Sequence, residues 1–455
     1  MNPALLSLTK APPLSVPLRF FLTAPLFGLV AAITLFFLAW QGVNPLAQRW
    51  SPAVLLLVHA LTLGYLTMVM VGALSQLMPV LIGARLENPL RVSRVMHLLL
   101  LLGVLLLLLG FALQIPWLLA SATLLLGLAL SQVVVVTLYA LLRSSSRHAT
   151  VYALIAAVLA LSLTWGVIAL LLYQGNWWTP LAHPYTHLHI VWGVLGWMGM
   201  LLMGIAYQVV PMFQITPEFP QRWRQALVPL LFAALLLLTL AVLLELKTLA
   251  HLAHLMLGLG FAAFALLLWR LLRQRMRRIA DVTYDYWLLA MASLLLAAVV
   301  AVIGEVAALL GFAVPAALWQ GWALLLLLAG VLLAAIAGML LKIVPFLVWL
   351  HLNHRFQRAG AFQGNIPNMR QIIPYQQMRR QFTLQLAALL TLLVALLPGW
   401  SGWLPEALLF LPQWLLMVAA LLWAALFLLQ FVVMVTALRL YRHHLRLLPG
   451  LLPEH

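Results

Sequence analysis

The chain has no cysteine, only eight acidic residues in 455, and just 7% charged residues of both signs together. Without thiolates there is no disulfide, no cysteine-ligated zinc or iron–sulfur centre and no thiol chemistry. Any metal or cofactor must be held by His, Met, carboxylate or backbone. A water-soluble globular protein carries about 25% charged and about 45–50% apolar residues, so that class is excluded, as is a disordered chain. The apolar–polar alternation of β-barrel spans is also missing: blocks such as Leu98–Leu109 are continuously apolar. What is present is 66% hydrophobic residues and a mean hydropathy of +1.11.

A spanning helix needs about 20 mostly apolar residues. Runs of that kind fall near 19–41, 53–82, 95–113, 116–142, 150–174 and 186–213. Six more fall near 225–246, 249–272, 284–311, 317–350, 381–398 and 406–440. The expectation is an all-α polytopic protein of about twelve transmembrane helices in a lipid bilayer, with no cleavable signal peptide. The formal charge of +17 gathers after spans two, four, six, eight and ten and at both termini. The other loops hold little more than Arg49 and Lys247. The positive-inside rule then puts both termini in the cytoplasm of a bacterial-type inner membrane. The basic balance records topology, and no nucleic-acid partner is implied.

Span two contains Leu63-Gly64-Tyr65, then Met68, Gly72, Gln76 and Pro79. Span six contains Leu195-Gly196-Trp197, then Met200, Gly204, Gln208 and Pro211, in register without a gap. Gly330, Gly338, Lys342 and Pro345 of span ten repeat the Gly, Gly, polar, Pro spacing. Helices four apart thus share one pattern, which predicts three four-helix units near 19–142, 150–272 and 284–440, with 351–380 as a cytoplasmic loop. The polar position lies about one turn before the proline, where a side-chain amide can satisfy the carbonyl that the proline frees. Lys342 can do the same or reach the cytoplasmic interface. Asp281 and Asp285 follow a five-Arg segment and are expected to neutralise it.

Six histidines fall near the outer ends of spans two, six and eight: His59, His183, His187, His189, His251 and His254. An imidazole inside a Leu-rich span must find a partner. His251 and His254 are i, i+3 and share a helix face, a spacing that lets two imidazoles converge on one metal ion. His187 and His189 are about 200° apart on a regular helix. Aligning Gly64 with Gly196 makes Val191 the counterpart of His59. That alignment points His187 toward the bundle axis and His189 toward a neighbouring helix or the interface. The competing reading is a set of satisfied interfacial histidines with aromatic neighbours. Glu305 in span nine and Glu245 near the outer end of span seven are the acids expected to be buried, as a counter-ion, a proton relay or a hydrogen-bond partner that orients an imidazole. Glu245, six residues before His251, is a candidate for the second role.

Twelve helices in three arcs, with His59 on the outer part of the second, resemble the haem–copper oxidase catalytic subunits and nitric oxide reductases. That resemblance implies His59 as an axial ligand of a haem, haem b here, and copper held by His187 or His189 with His251 and His254. It also implies a periplasmic electron donor or other respiratory membrane subunits as partners. Residues 317–350 lack the tenth-helix histidines of that superfamily. The segment His59-Ala-Leu-Thr-Leu-Gly is similar to a motif of the NnrS family, haem- and copper-containing membrane proteins linked to nitric oxide stress. His187-Leu188-His189 echoes that family's His-x-His. The reading that follows is a haem- and/or copper-binding protein in electron transfer or nitric oxide or oxygen handling, an oxidoreductase if catalytic. A transporter or channel of three helical repeats and a non-catalytic assembly partner are the alternatives.

Overall fold

The computed structural model describes residues 12–81, 88–143, 149–174, 184–277, 279–313, 315–360, 366–397 and 410–447. Continuous apolar sequence can satisfy its own backbone in a bilayer only as helix, and helix is what forms. In chain order these are α1 Ser15–Trp40, α2 Pro52–Pro79, α3 Pro89–Leu113, α4 Pro116–Leu142, α5 Ala149–Gln174 and α6 Tyr185–Gln214. Then come α7 Gln221–Leu243, α8 Lys247–Arg273, α9 Val282–Leu309, α10 Ala316–Arg358, α11 Tyr375–Ala395 and α12 Leu411–Arg446. Among the described residues eleven helices are long and apolar enough to cross a membrane. The twelfth expected span falls on α11, whose first turns, Tyr375-Gln-Gln-Met-Arg-Arg-Gln, are polar. The expected start of the last span, 406, lies outside the described residues, and residues 351–358 of the expected loop continue α10 as helix.

The helices α2, α6 and α10 carry the repeat, and all three break regular α geometry at the same place. Each has a π-helical segment, at Ala60–Thr67, Trp192–Gly199 and Leu326–Leu332. The repeat glycine, Gly64, Gly196 or Gly330, is the fifth residue of its segment. In each copy both glycines also face the preceding helix. Gly64 and Gly72 lie against Phe27 and Phe20 of α1, Gly196 and Gly204 against Ala160 and Ala153 of α5, and Gly330 and Gly338 against Ser293 and Tyr286 of α9. A Cβ at any of these six would collide with that neighbour. A π-turn leaves a carbonyl without its i+4 amide, and Gln385 of α11 donates its side-chain amide to the Ala329 carbonyl at 3.0 Å. Gln76 does not play the expected carbonyl-satisfying part: neither its amide nitrogen nor its oxygen has a partner.

Arginines gather at one end of the bundle, and His59, His187, His189, His251 and His254 belong to the other; we call these the arginine and histidine ends. At the arginine end α9 opens with Asp281, which caps its helix by accepting from the Thr283 amide at 3.1 Å. Asp281 also accepts from Lys342 Nζ of α10 at 2.8 Å, and Gln214 of α6 reaches the Thr283 hydroxyl at 2.8 Å. Three helices are thereby tied together. Lys342 is thus ion-paired, and Asp285 pairs with Arg379. At the histidine end the turn between α7 and α8 places Glu245 at φ +58°. Leu246 donates to the Ala241 carbonyl and Glu245 to that of Val242, which is a Schellman closure around a left-handed residue. That conformation leaves Glu245 exposed in the turn.

Two outcomes follow. A non-glycine residue in the left-handed region costs about 1–2 kcal/mol, so Glu245→Gly is expected to raise stability by about 1 kcal/mol. The check is thermal unfolding in detergent, and a lowered melting temperature contradicts the turn geometry. For Asp281, burial opposes ionisation, but the Lys342 hydrogen bond and charge and the Thr283 hydroxyl and amide outweigh it and lower its pKa. A depressed carboxyl pKa gives stability that is complete above about 3.9 and is lost as pH falls through the folded value. Asp281→Asn is therefore expected to cost about 3 kcal/mol near neutral pH and to flatten the acid limb of the stability curve. An unchanged acid limb would show that the pair contributes nothing.

Candidate metal centre at the histidine end

The site begins with Glu305. It stands one turn before the end of α9, where the surrounding sequence Val302-Ile303-Gly304 and Val306-Ala307-Ala308 is apolar, and only 1% of its side chain is exposed. A carboxylate so placed is costly unless paired. Its partners come from the first turns of the antiparallel neighbour α8. His251 Nδ1 lies 2.5 Å from Oε2, and His254 Nδ1 lies 2.8 Å from Oε1. The i, i+3 spacing brings both imidazoles to one carboxylate. The second contact has the distance of an ion pair without hydrogen-bond alignment, so Oε1 still has an unused acceptor direction.

From α6, His187 closes the group: its Nε2 is 2.9 Å from Nε2 of His254, with the ring planes at 79°. The network constrains the tautomers. With Glu305 accepting from His251 Nδ1–H, a lone pair is left on His251 Nε2, and one proton is shared between the Nε2 atoms of His187 and His254. A carboxylate behind Nδ1 with an electron pair on Nε2 is the arrangement that orients an imidazole toward a metal. Two nitrogens about 2.0 Å from a tetrahedral ion sit about 3.3 Å apart, so His187 and His254 must open by a few tenths of an ångström to share one. Among the described residues, no group of three or more His, Asp and Glu already stands as a metal cage.

The second pair is His59 and His189. His59 is the last residue before the π segment of α2, and its Nδ1 bonds the Leu55 carbonyl at 2.8 Å, which fixes the ring and leaves Nε2 available. Phe111 of α3 lies 5.3 Å from it, centre to centre. The His189 ring is 6.4 Å from that of His59, with planes at 17°, and its Nδ1 is buried with no partner. The half-turn between His187 and His189 thus sends them to different helices, His187 to α8 and His189 to α2.

The structure brings His187, His251, His254 and Glu305 together, sets His59 beside His189, and leaves Glu245 out. Glu305 rather than Glu245 is the carboxylate at His251. The joint hold of Glu305 on two imidazoles was not read from sequence, although opposed helix directions and equal depth in α8 and α9 carried the signal. His183 and His148 lie outside the described residues. At the arginine end His97 bonds the Thr23 hydroxyl at 2.9 Å and His351 the Leu347 carbonyl at 2.8 Å, which are ordinary polar partners. No family model matches the chain, and no curated protein is similar to it at a significant level, so functional argument starts from these side chains.

Proposed function

We propose that the protein is a haem- and/or copper-binding integral membrane protein of bacterial-type inner membranes, with both termini cytoplasmic, that handles nitric oxide or oxygen or takes part in respiratory electron transfer. The observation that carries this reading is Glu305 held between His251 and His254, with His187 against His254. Neutral imidazoles without thiolate or extra carboxylate suit copper. The donor set fits it: His187, His251 and His254 would hold the ion, while Glu305 would keep Nδ1 of the last two protonated and their Nε2 atoms free. Copper bound there supplies one-electron chemistry and affinity for diatomic ligands.

The haem that the resemblance implies has a matching pair. Imidazole nitrogens are haem-iron ligands, so two histidines close together would be able to hold one such group. The rings of His59 and His189 are separated by 6.4 Å, and Nδ1 of His189 is buried without a hydrogen-bond partner. His59 and His189 would be the ligands, and the Leu55 carbonyl would fix the His59 tautomer. A soluble donor on the histidine side is the partner this arrangement calls for.

The test is metal and haem content of the full chain expressed with both supplied. Stoichiometric copper is expected, lost in His187→Ala and His254→Ala, with affinity lowered about 10–100-fold in Glu305→Gln. A Soret band is expected to disappear in His59→Ala. Absence of both metals, or content unchanged by all four substitutions, would falsify the proposal.

A further inference from the structure

The three repeat helices meet at the centre of the bundle around a cavity of about 60 Å³. Its lining is drawn from α2, α6 and α10 alone, and every one of the lining residues is Val, Leu, Ile, Met or Ala. The positions are equivalent in the repeat: Met70, Leu202 and Ile336 make one layer, and Ala73, Ile205 and Met339 make the next. The void has a physical origin. Each helix turns its glycines outward to α1, α5 or α9, so its bulky face turns inward. Three bulky faces meeting on one axis leave space between them, and the small side chain of Ala73 enlarges it.

One water needs about 10–15 Å³ on this measure and two to four polar partners. Space suffices here, but the walls offer no donor or acceptor. Cavities of this kind stay dry and take apolar guests such as xenon or benzene. Met70, Leu202 and Ile336, each below 10% exposure, close the lining at one layer, and Ala73 and Ile205 of the next are partly exposed. The cavity is also separate from the histidines: Met70 and Ala73 lie 11 and 14 residues beyond His59 on α2, about 16–21 Å along the axis.

We infer that the junction of α2, α6 and α10 is a dry binding site for a small apolar gas molecule, of monatomic or diatomic size. The inference does not depend on metal binding, since no histidine or carboxylate lines the cavity. The probe is xenon. Crystals of the full chain under xenon pressure should show an anomalous peak among Ala73, Ile205 and Met339, and protein in nanodiscs should show a bound-xenon resonance. Ala73→Leu and Ile205→Phe fill the space by independent routes, and each folded variant should lose both signals. An ordered water, an acyl chain or no xenon in the wild-type cavity overturns the inference, as does a bound resonance that survives both fillings.

Discussion

A carboxyl group inside an apolar bundle must find polar partners, and Glu305 is that group here. Its pairing with His251 and His254 fixes the rotation of α8 against α9 at the histidine end. It turns Nδ1 of both imidazoles toward the carboxyl group, and Nε2 of His254 faces His187. Replacing any member leaves a charge or a donor stranded in low dielectric, where the cost is largest.

The same economy governs the scaffold. Glycines at 64, 72, 196, 204, 330 and 338 let α1, α5 and α9 approach closely. Where lipid tails are as apolar as leucine, such contact is a main source of helix association. The π segments at matching positions add one residue to the register of each repeat helix. His59 and Val191 precede two of these segments, which links the repeat to the site: the segment sets the face on which the preceding turn presents its side chain. At the opposite end the Lys342–Asp281 contact and the Gln214–Thr283 contact hold α6, α9 and α10 together. Polar clamps stand at both ends, and in the apolar middle Tyr65 donates to Gln430 and Gln385 to the Ala329 carbonyl.

Helix number and limits were legible because a bilayer demands long apolar runs, and Pro or charge marks their ends at Pro52, Pro89, Pro116 and Arg273. α11 was read less well because its polar first turns, through Arg379 and Arg380, belong to the same helix as its apolar half. The repeat could be read from Gly and Pro spacing, but the π segments could not, since they depend on neighbours such as Gln385. His251 with His254 followed from i, i+3 geometry. Glu245 was misplaced because six residues of sequence suggested proximity, whereas a left-handed turn leaves it exposed. Lys342 was read as an interfacial or carbonyl-binding group, and its partner, Asp281, lies 61 residues away. Contacts of that separation have no local signature.

Glu305 is proposed to position imidazole nitrogens for one metal ion. X-ray absorption at the copper edge on the purified, copper-loaded chain tests it most directly. About three nitrogen ligands of imidazole type at about 2.0 Å are expected, with that ligand shell altered in copper-loaded Glu305→Gln. A copper environment of oxygen or thioether ligands, or a spectrum unchanged by that substitution, would contradict it.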